Sequence, residues 1–264
     1  MNKTTCNTVK LNKGEVNVYD FGTVKLHAYK TNDFMSDEVF IFEKDGKSVV
    51  LESPCFFDNE SELTDYLKDK NVSAMLIAYH DAGGNFLPDV KKYATLNAKD
   101  YGENGGGKAL IDGFTKAFGE AFDKKLHDIT EILPAGKNNI AGIDFVINVN
   151  DEAYTVEIPE INTVYTHMLG HDCHSIVAGN DHADAIISEL EGYINKGFMF
   201  ILTSHYTPED LKDAEVKIAY LKDLKTIASA ANSREEFKKV VNEKYPDYAG
   251  ANYLEMTAGM FYKK

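Results

Sequence analysis

Apolar residues in the first third of the chain come in short runs broken by turn formers: EVNVYDFG, VKLHAYKT and EVFIFEKDGKSVVLES. The pattern predicts strands, and Asp45-Gly46 between two apolar runs predicts a tight hairpin. NESELTDYLKDK then sets Leu63, Tyr66 and Leu67 on one helical face, and SAMLIAYH reads as a buried strand, which gives a β-β-α-β progression. After a looser stretch, YGENGGGKALIDGF supplies a glycine-rich turn into a helix. Three more strands follow in IAGIDFVINVN, AYTVEIPE and NTVYTHM.

The last third turns helical. HADAIISELEGYINKG places Ile186, Ile187, Leu190, Tyr193 and Ile194 on one stripe and stops at Gly197, a residue suited to the left-handed position that ends helices. FMFILTSHY is a continuous apolar run ending in polar residues, as expected of a buried strand whose carboxyl end borders a site. In TPEDLKDAEVKIAYLKDLKTIASA, Thr207 is the expected N-cap with Pro208 at the first helical position. Ser233 and Glu236 in SREEF form a capping-box pair. Ile218, Leu221, Leu224, Ile227, Tyr253, Leu254, Met256 and Phe261 carry enough apolar surface to suggest packing beyond a single core, or a homodimer face.

Length and charge narrow the function. A chain of 264 residues suits one large α/β domain. A net charge of −14 argues against a groove that tracks nucleic-acid phosphates. No apolar run approaches the ~18–20 residues that span a bilayer, and the N-terminal stretch lacks the apolar core of a signal peptide. Three scattered cysteines without a C-x-x-C pair suit reduced thiols and exclude a thiolate zinc knuckle. These features lead us to expect a cytoplasmic protein acting on a small molecule, without a nucleic-acid or membrane partner.

Three segments offer chemistry. Gly102 to Lys108 formally fits the G-x-x-x-x-G-K part of a phosphate loop, but Ala109 stands where a magnesium-holding Ser or Thr is needed and no buried strand precedes it. His80 and Asp81 lie at the carboxyl end of a buried strand, where α/β proteins place their chemistry, although for a lone His-Asp pair a hydrogen-bonded turn is the plainer reading. His167, His171 and His174 crowd YTHMLGHDCHSIVAG, with His182 shortly after. Three or four convergent ligands make a zinc site, and a solvated histidine loop is the plainer reading of such a cluster.

In order, these pieces resemble the metallo-β-lactamase superfamily over nearly the whole chain. KSVVLESPCFFDNESELTDYLKDKNVSAMLIAYHDAGG looks like the strand, helix and strand that lead into that family's H-x-H-x-D-H-x-G-G signature. DVKKYATLNA, YTVEIPEINTVYTHMLGHDCHSIVAG, FMFILTSHYTPEDLKDAEVKIAYLKDL and VNEKYPDYAGANYLEMTAG are similar to successive later segments. The resemblance implies an α/β fold, the four-layer αββα sandwich with mixed sheets. It also implies a single domain over 1–264, in which 207–264 form C-terminal helices packed on the rest.

The resemblance further implies that His167 stands where the family has a bridging aspartate, that His174 is the histidine trailing it in some branches, and that His205 is the final metal ligand. The signature itself is damaged. Counted back from Gly83-Gly84, Asp81 and His80 replace its last His and its Asp, while Ala78 and Leu76 occupy the first two His positions. Counted forward from the strand, Tyr79 and Asp81 replace the two histidines. No His occurs near Asn148 to Asn150, where another ligand is expected.

A two-metal site needs roughly six side-chain ligands, so an ordinary dizinc hydrolase does not fit. Two readings follow. In the first, His80, His167 and His205 with Asp81 hold one divalent ion, zinc or iron, for hydrolysis of an ester, amide or phosphoester. His174 then supports the ligands or touches substrate, His171 does so or adds a ligand, and no further catalytic residue is assigned. In the second, the fold survives without catalysis and the cleft binds a small ligand or a protein partner. A redox role like that of a diiron branch needs more carboxylates than the motif offers.

Overall fold

A computed structural model describes residues 5–167 and 170–262. The chain divides into two compact units. The first takes the described residues up to 167 together with 202–208, and the second takes 170–201 and 209–262.

The first unit opens as an antiparallel meander of β1 (Thr5–Lys10), β2 (Glu15–Asp20), β3 (Lys25–Lys30), β4 (Glu38–Lys44) and β5 (Lys47–Leu51). The predicted hairpin joins β4 to β5. Asp45 and Gly46 have φ of 49° and 71°, so both central residues are left-handed, the type I′ geometry that matches strand twist. α1 (Phe57–Tyr66) then carries the chain to β6 (Val72–Leu76), which runs parallel to β5. β7 (Lys92–Ala94) and β8 (Glu131–Ile132) extend the same sheet in parallel. Between them lie α2 (Leu96–Asn104) and α3 (Gly106–Phe118). The sheet is therefore mixed and has eight strands in sequential order.

Its fourth strand explains why EVFIF is apolar without alternation. Val39 and Ile41 join Leu63 and Leu67 at the carboxyl end of α1 in one core, together with Val16, Val50 and Met75. Phe40 and Phe42 point the other way, where their rings meet Tyr165 and Phe145 of the second sheet at centroid distances of 6.1 and 5.6 Å. A strand buried on both faces needs apolar residues at every position.

The second sheet comprises β9 (Gly136–Ile140), β10 (Ile143–Val149), β11 (Tyr154–Ile158) and β12 (Thr163–Thr166), paired antiparallel. It ends beside β12 with a strand numbered β13 (Phe200–Thr203), whose Leu202 and Thr203 belong to the first unit. Here burial alternates, with Phe145, Ile147, Tyr154 and Val156 inward. α1, the eight-stranded sheet and the five-stranded sheet thus form successive layers of the first unit.

The second unit holds α4 (Asn180–Lys196), α5 (Leu211–Ala230), α6 (Arg234–Lys244) and α7 (Ala251–Phe261). The expected stripe of α4 buries Ile187, Leu190 and Tyr193, and Gly197 ends the helix with φ 68°. Ser233 caps α6 by accepting the Glu236 N–H, while the Glu236 carboxylate turns to Asn232 N–H instead of closing the box. The expected cap of α5 is displaced. Asp210, not Thr207, accepts the first N–H groups, and Asp213 answers it in a full capping box. Asp outcompetes Thr here because its carboxylate reaches two orphan N–H groups and favours the positive helix end. Among the described residues, no helix is long and apolar enough to cross a membrane.

Candidate metal centre

The centre is built on a carboxylate that organises backbone. Glu52 follows the last residue of β5, and its φ of 67° lies in the left-handed region. Its buried carboxylate accepts N–H groups of Ala78 at 3.3 Å, Tyr79 at 2.9 Å and His80 at 3.0 Å. It also accepts the Tyr165 hydroxyl, which lies 2.5 Å from Ser204 Oγ. The chain leaving β6 therefore curls around Glu52, and the curl decides where each side chain goes.

His80 turns inward. Its Nδ1 lies 2.9 Å from the Ser53 carbonyl, so Nδ1–H donates there and Nε2 keeps its lone pair. His167, just beyond β12, is held by Ser204, which donates its N–H to the His167 carbonyl at 2.9 Å and places Oγ 3.0 Å from His167 Nδ1. The Tyr79 ring stacks on this imidazole at 4.3 Å. His205 follows Ser204 directly. The Ser204 carbonyl accepts the Glu38 N–H at 2.6 Å, which ties the start of β4 to the segment bearing His205. One nitrogen from each of His80, His167 and His205 falls within 4.8 Å of the other two.

Asp81 is not in this group, contrary to the expectation that it joins the ligands. Its carboxylate lies against α2 and α3, where a Cβ added at Gly102 or Gly107 would come within 2.4 Å of its oxygens. Consecutive residues on the curl send their side chains to different neighbours, so the sequence pair His80-Asp81 does not make a spatial pair. Burial pushes the Asp81 carboxyl up to about 8, with Glu52 adding to the effect. The glycines of the phosphate-loop-like stretch thus make room for this acid: Gly102 lies in α2, and Gly107 in the first turn of α3.

The carboxylate that does face the histidines is Asp37, which the sequence analysis did not single out. It is 1% exposed, with Oδ1 3.1 Å from His205 Nδ1 and 3.9 Å from His80 Nε2. Oδ2 accepts the Cys55 thiol at 3.3 Å. Burial alone would raise the Asp37 carboxyl, but His80 and His205 hold it below the ordinary range. Burial would likewise lower His80, yet Asp37 and Glu52 raise it, whereas burial and the other two imidazoles keep His167 neutral. Asp37 sits before the apolar run of β4 in no motif, and hydrogen bonds bring it here: the Glu38 N–H to the Ser204 carbonyl, and the Thr31 N–H and hydroxyl to the Asp37 carbonyl. Glu52 was within reach of the strand-end rule that singled out His80, since it ends the apolar run SVVLE.

His171 and His174 belong to the second unit. His171 Nδ1 pairs with Glu209 Oε1 at 2.6 Å and lies 3.5 Å from Asp213 Oδ1. Glu209 also accepts the Gly170 and His171 N–H groups. His174 is buried, with Nδ1 2.9 Å from the Tyr220 hydroxyl. His182 is exposed, and its Nδ1 accepts the Ala178 N–H.

The chain resembles several solved structures. The sec-alkylsulfatase Pisa1 from Pseudomonas sp. matches with 12% identity and a TM-score of 0.61 over 93% of this chain and 49% of its own. This chain therefore spans about half the length of that enzyme. A metallo-β-lactamase from Pontibacter korlensis matches with 13% identity and a TM-score of 0.52 over 83% of this chain and 100% of its own. This chain has the metallo-β-lactamase fold. The metallo-β-lactamase FIM-1 from Pseudomonas aeruginosa, solved in a mono-zinc form, matches with 12% identity and a TM-score of 0.52 over 84% of this chain and 96% of its own. No protein-family profile matches the sequence, and no curated protein does. The fold read from the order of the fragments is borne out.

The donors fit a divalent ion. His80 Nε2, His205 Nδ1 and Asp37 Oδ1 are buried without a hydrogen-bond partner. Asp37 Oδ1 lies 3.1 Å from His205 Nδ1 and 3.9 Å from His80 Nε2, so a cation placed among them would give each of these atoms a partner. Imidazole and carboxylate donors suit zinc or iron.

Proposed function

We propose that this metallo-β-lactamase-fold chain is a hydrolase of a small-molecule ester, amide or phosphoester that works with one divalent ion, zinc or iron, held by His80, His167 and His205. The observation that carries the proposal is the convergence of three imidazoles from three separate strand ends, two of them with an orphaned nitrogen. The mono-zinc form of FIM-1 supports the count, since the donors here are too few for a pair of ions. When bound, the ion supplies Lewis acidity and a nucleophile at neutral pH. Ser53 and Ser204 fix the imidazole orientations, Glu52 holds the curl that presents His80, and Tyr79 packs against His167. Such supports, mutated in metal sites, typically cost 10–100-fold in affinity, on the order of the effect expected for Ser204→Ala.

Elemental analysis of protein purified without chelator tests the reading. We expect about one equivalent of a transition metal, a loss on His205→Ala, and hydrolytic turnover that falls with it. Less than about a tenth of an equivalent, with no gain on reconstitution, rules the hydrolase out. One observation favours the alternative of a catalytically silent ligand-binding relative: Asp37 already supplies negative charge to His80 and His205. The same metal-free result would support it.

A further inference from the structure

We infer that Asp37 is a fourth metal ligand, delivered from the start of β4, in a three-histidine, one-carboxylate centre; this rests on the metal-binding reading above. Asp37 matches no position of the damaged signature, so the argument is one of geometry. A carboxylate that is 1% exposed needs a cation or several donors. Among the described residues its ion pairs are with His205 at 3.1 Å and His80 at 3.9 Å, and neither contact has the geometry of a well-aligned hydrogen bond. Oδ2 has the weak Cys55 thiol donor, which leaves Oδ1 as the aimed atom.

The distances from Asp37 to two of the three imidazoles fit donors that share an ion. Two ligands on a tetrahedral ion with bonds of about 2.0–2.1 Å are about 3.3 Å apart. Oδ1 stands 3.1 Å from His205 Nδ1 and 3.9 Å from His80 Nε2, on either side of that separation. Charge agrees as well: three neutral imidazoles leave a divalent ion at +2 in a buried site, and one carboxylate halves it.

The inference also bears on which ion works. Four protein donors saturate a tetrahedral zinc ion, whereas an ion that accepts five or six donors keeps one or two positions for water and substrate.

The test uses the full chain and cobalt(II) as the probe, read by visible absorption and by competition with a chelator. We expect one cobalt bound by the wild type and none by His205→Ala. Asp37→Ala and Asp37→Asn should both change the cobalt spectrum and weaken binding by at least about a hundredfold, beyond what loss of a supporting group costs. If Asp37→Asn keeps both the spectrum and the affinity while His205→Ala loses the metal, Asp37 only orients His205, and this inference fails while the hydrolase reading stands. If the wild type binds no cobalt, both fail. Should the Asp37 variants not fold, a crystal structure of the cobalt-loaded wild type decides. A carboxylate oxygen within about 2.2 Å of the ion supports the assignment, and one beyond about 3 Å overturns it.

Discussion

Glu52 is the residue whose loss should cost the first unit most. Glu52→Ala strips acceptors from three backbone N–H groups and the Tyr165 hydroxyl, all at a fully buried position. At about 1–3 kcal/mol per orphaned donor, three N–H groups alone give about 3–9 kcal/mol. That is comparable to the whole stability of a typical domain, about 5–15 kcal/mol. Glu52→Gln keeps the shape and one acceptor oxygen. If that oxygen faces Ala78 and His80, the new NH₂ opposes the Tyr79 N–H, although Tyr165 Oη can accept from it, so the expected cost is about 2–4 kcal/mol. A third variant isolates the backbone. Because φ is 67°, Glu52→Gly should be more stable than Glu52→Ala by about 1 kcal/mol, as only glycine enters that region without a Cβ penalty. Urea unfolding of the four proteins, followed by circular dichroism, measures all of this. A Glu52→Gln loss below about 1 kcal/mol, or a glycine variant weaker than the alanine one, refutes the claim that this carboxylate and its strained backbone shape the curl.

Acid should destabilise the protein in part through His27. Burial, with Lys70 adding to it, lowers this imidazole to about 4 from 6.5, against the opposing pull of Glu43. A group depressed in the folded state contributes stability above its unfolded pKa and loses it as pH falls through the folded one, so about 3 kcal/mol disappears between pH 6.5 and 4. In His27→Gln, the stability difference between pH 7 and pH 4 should shrink by about that amount, and an unchanged pH profile would contradict the assignment. Two glycines should respond oppositely to alanine. Gly113 in α3 has nothing within 4 Å of an added Cβ, and Gly113→Ala should raise stability by about 0.5–1 kcal/mol. Gly102→Ala, 2.4 Å from Asp81 Oδ1, should lower it by about 1–3 kcal/mol, and matching melting shifts would sink the packing argument. In the core below α1, Leu63→Ala should cost about 2–5 kcal/mol in the same unfolding assay.

The strands, the hairpin and the stripe of α4 were legible because each is a local pattern: left-handed Asp45-Gly46, the two-faced run EVFIF, and the period that ends at Gly197. Three histidines were legible for a different reason: each closes an apolar run, and the family resemblance implies that those strand ends meet. Asp37 was hidden because nothing in TNDFMSDEVF marks it; the bond from Glu38 N–H to the Ser204 carbonyl joins segments far apart in sequence. Asp81 misled because adjacency in sequence says nothing of direction once the backbone curls around Glu52. The α5 cap slipped from Thr207 to Asp210 because several residues in TPED suit a helix start, and only the geometry of the turn chooses among them.

Strand β4, apolar toward both layers, has a further consequence. In a half-exposed strand a slip of one residue is punished by polarity, because charged groups move inward. Here, over residues 39–42, the slip would exchange the rings of Phe40 and Phe42 for the branched chains of Val39 and Ile41, one greasy set for another. Alignment must then be kept by the two-residue reversal at Asp45-Gly46 and by the unequal volumes of rings and branched chains, so an insertion at that reversal would misfit the sandwich without altering its hydropathy.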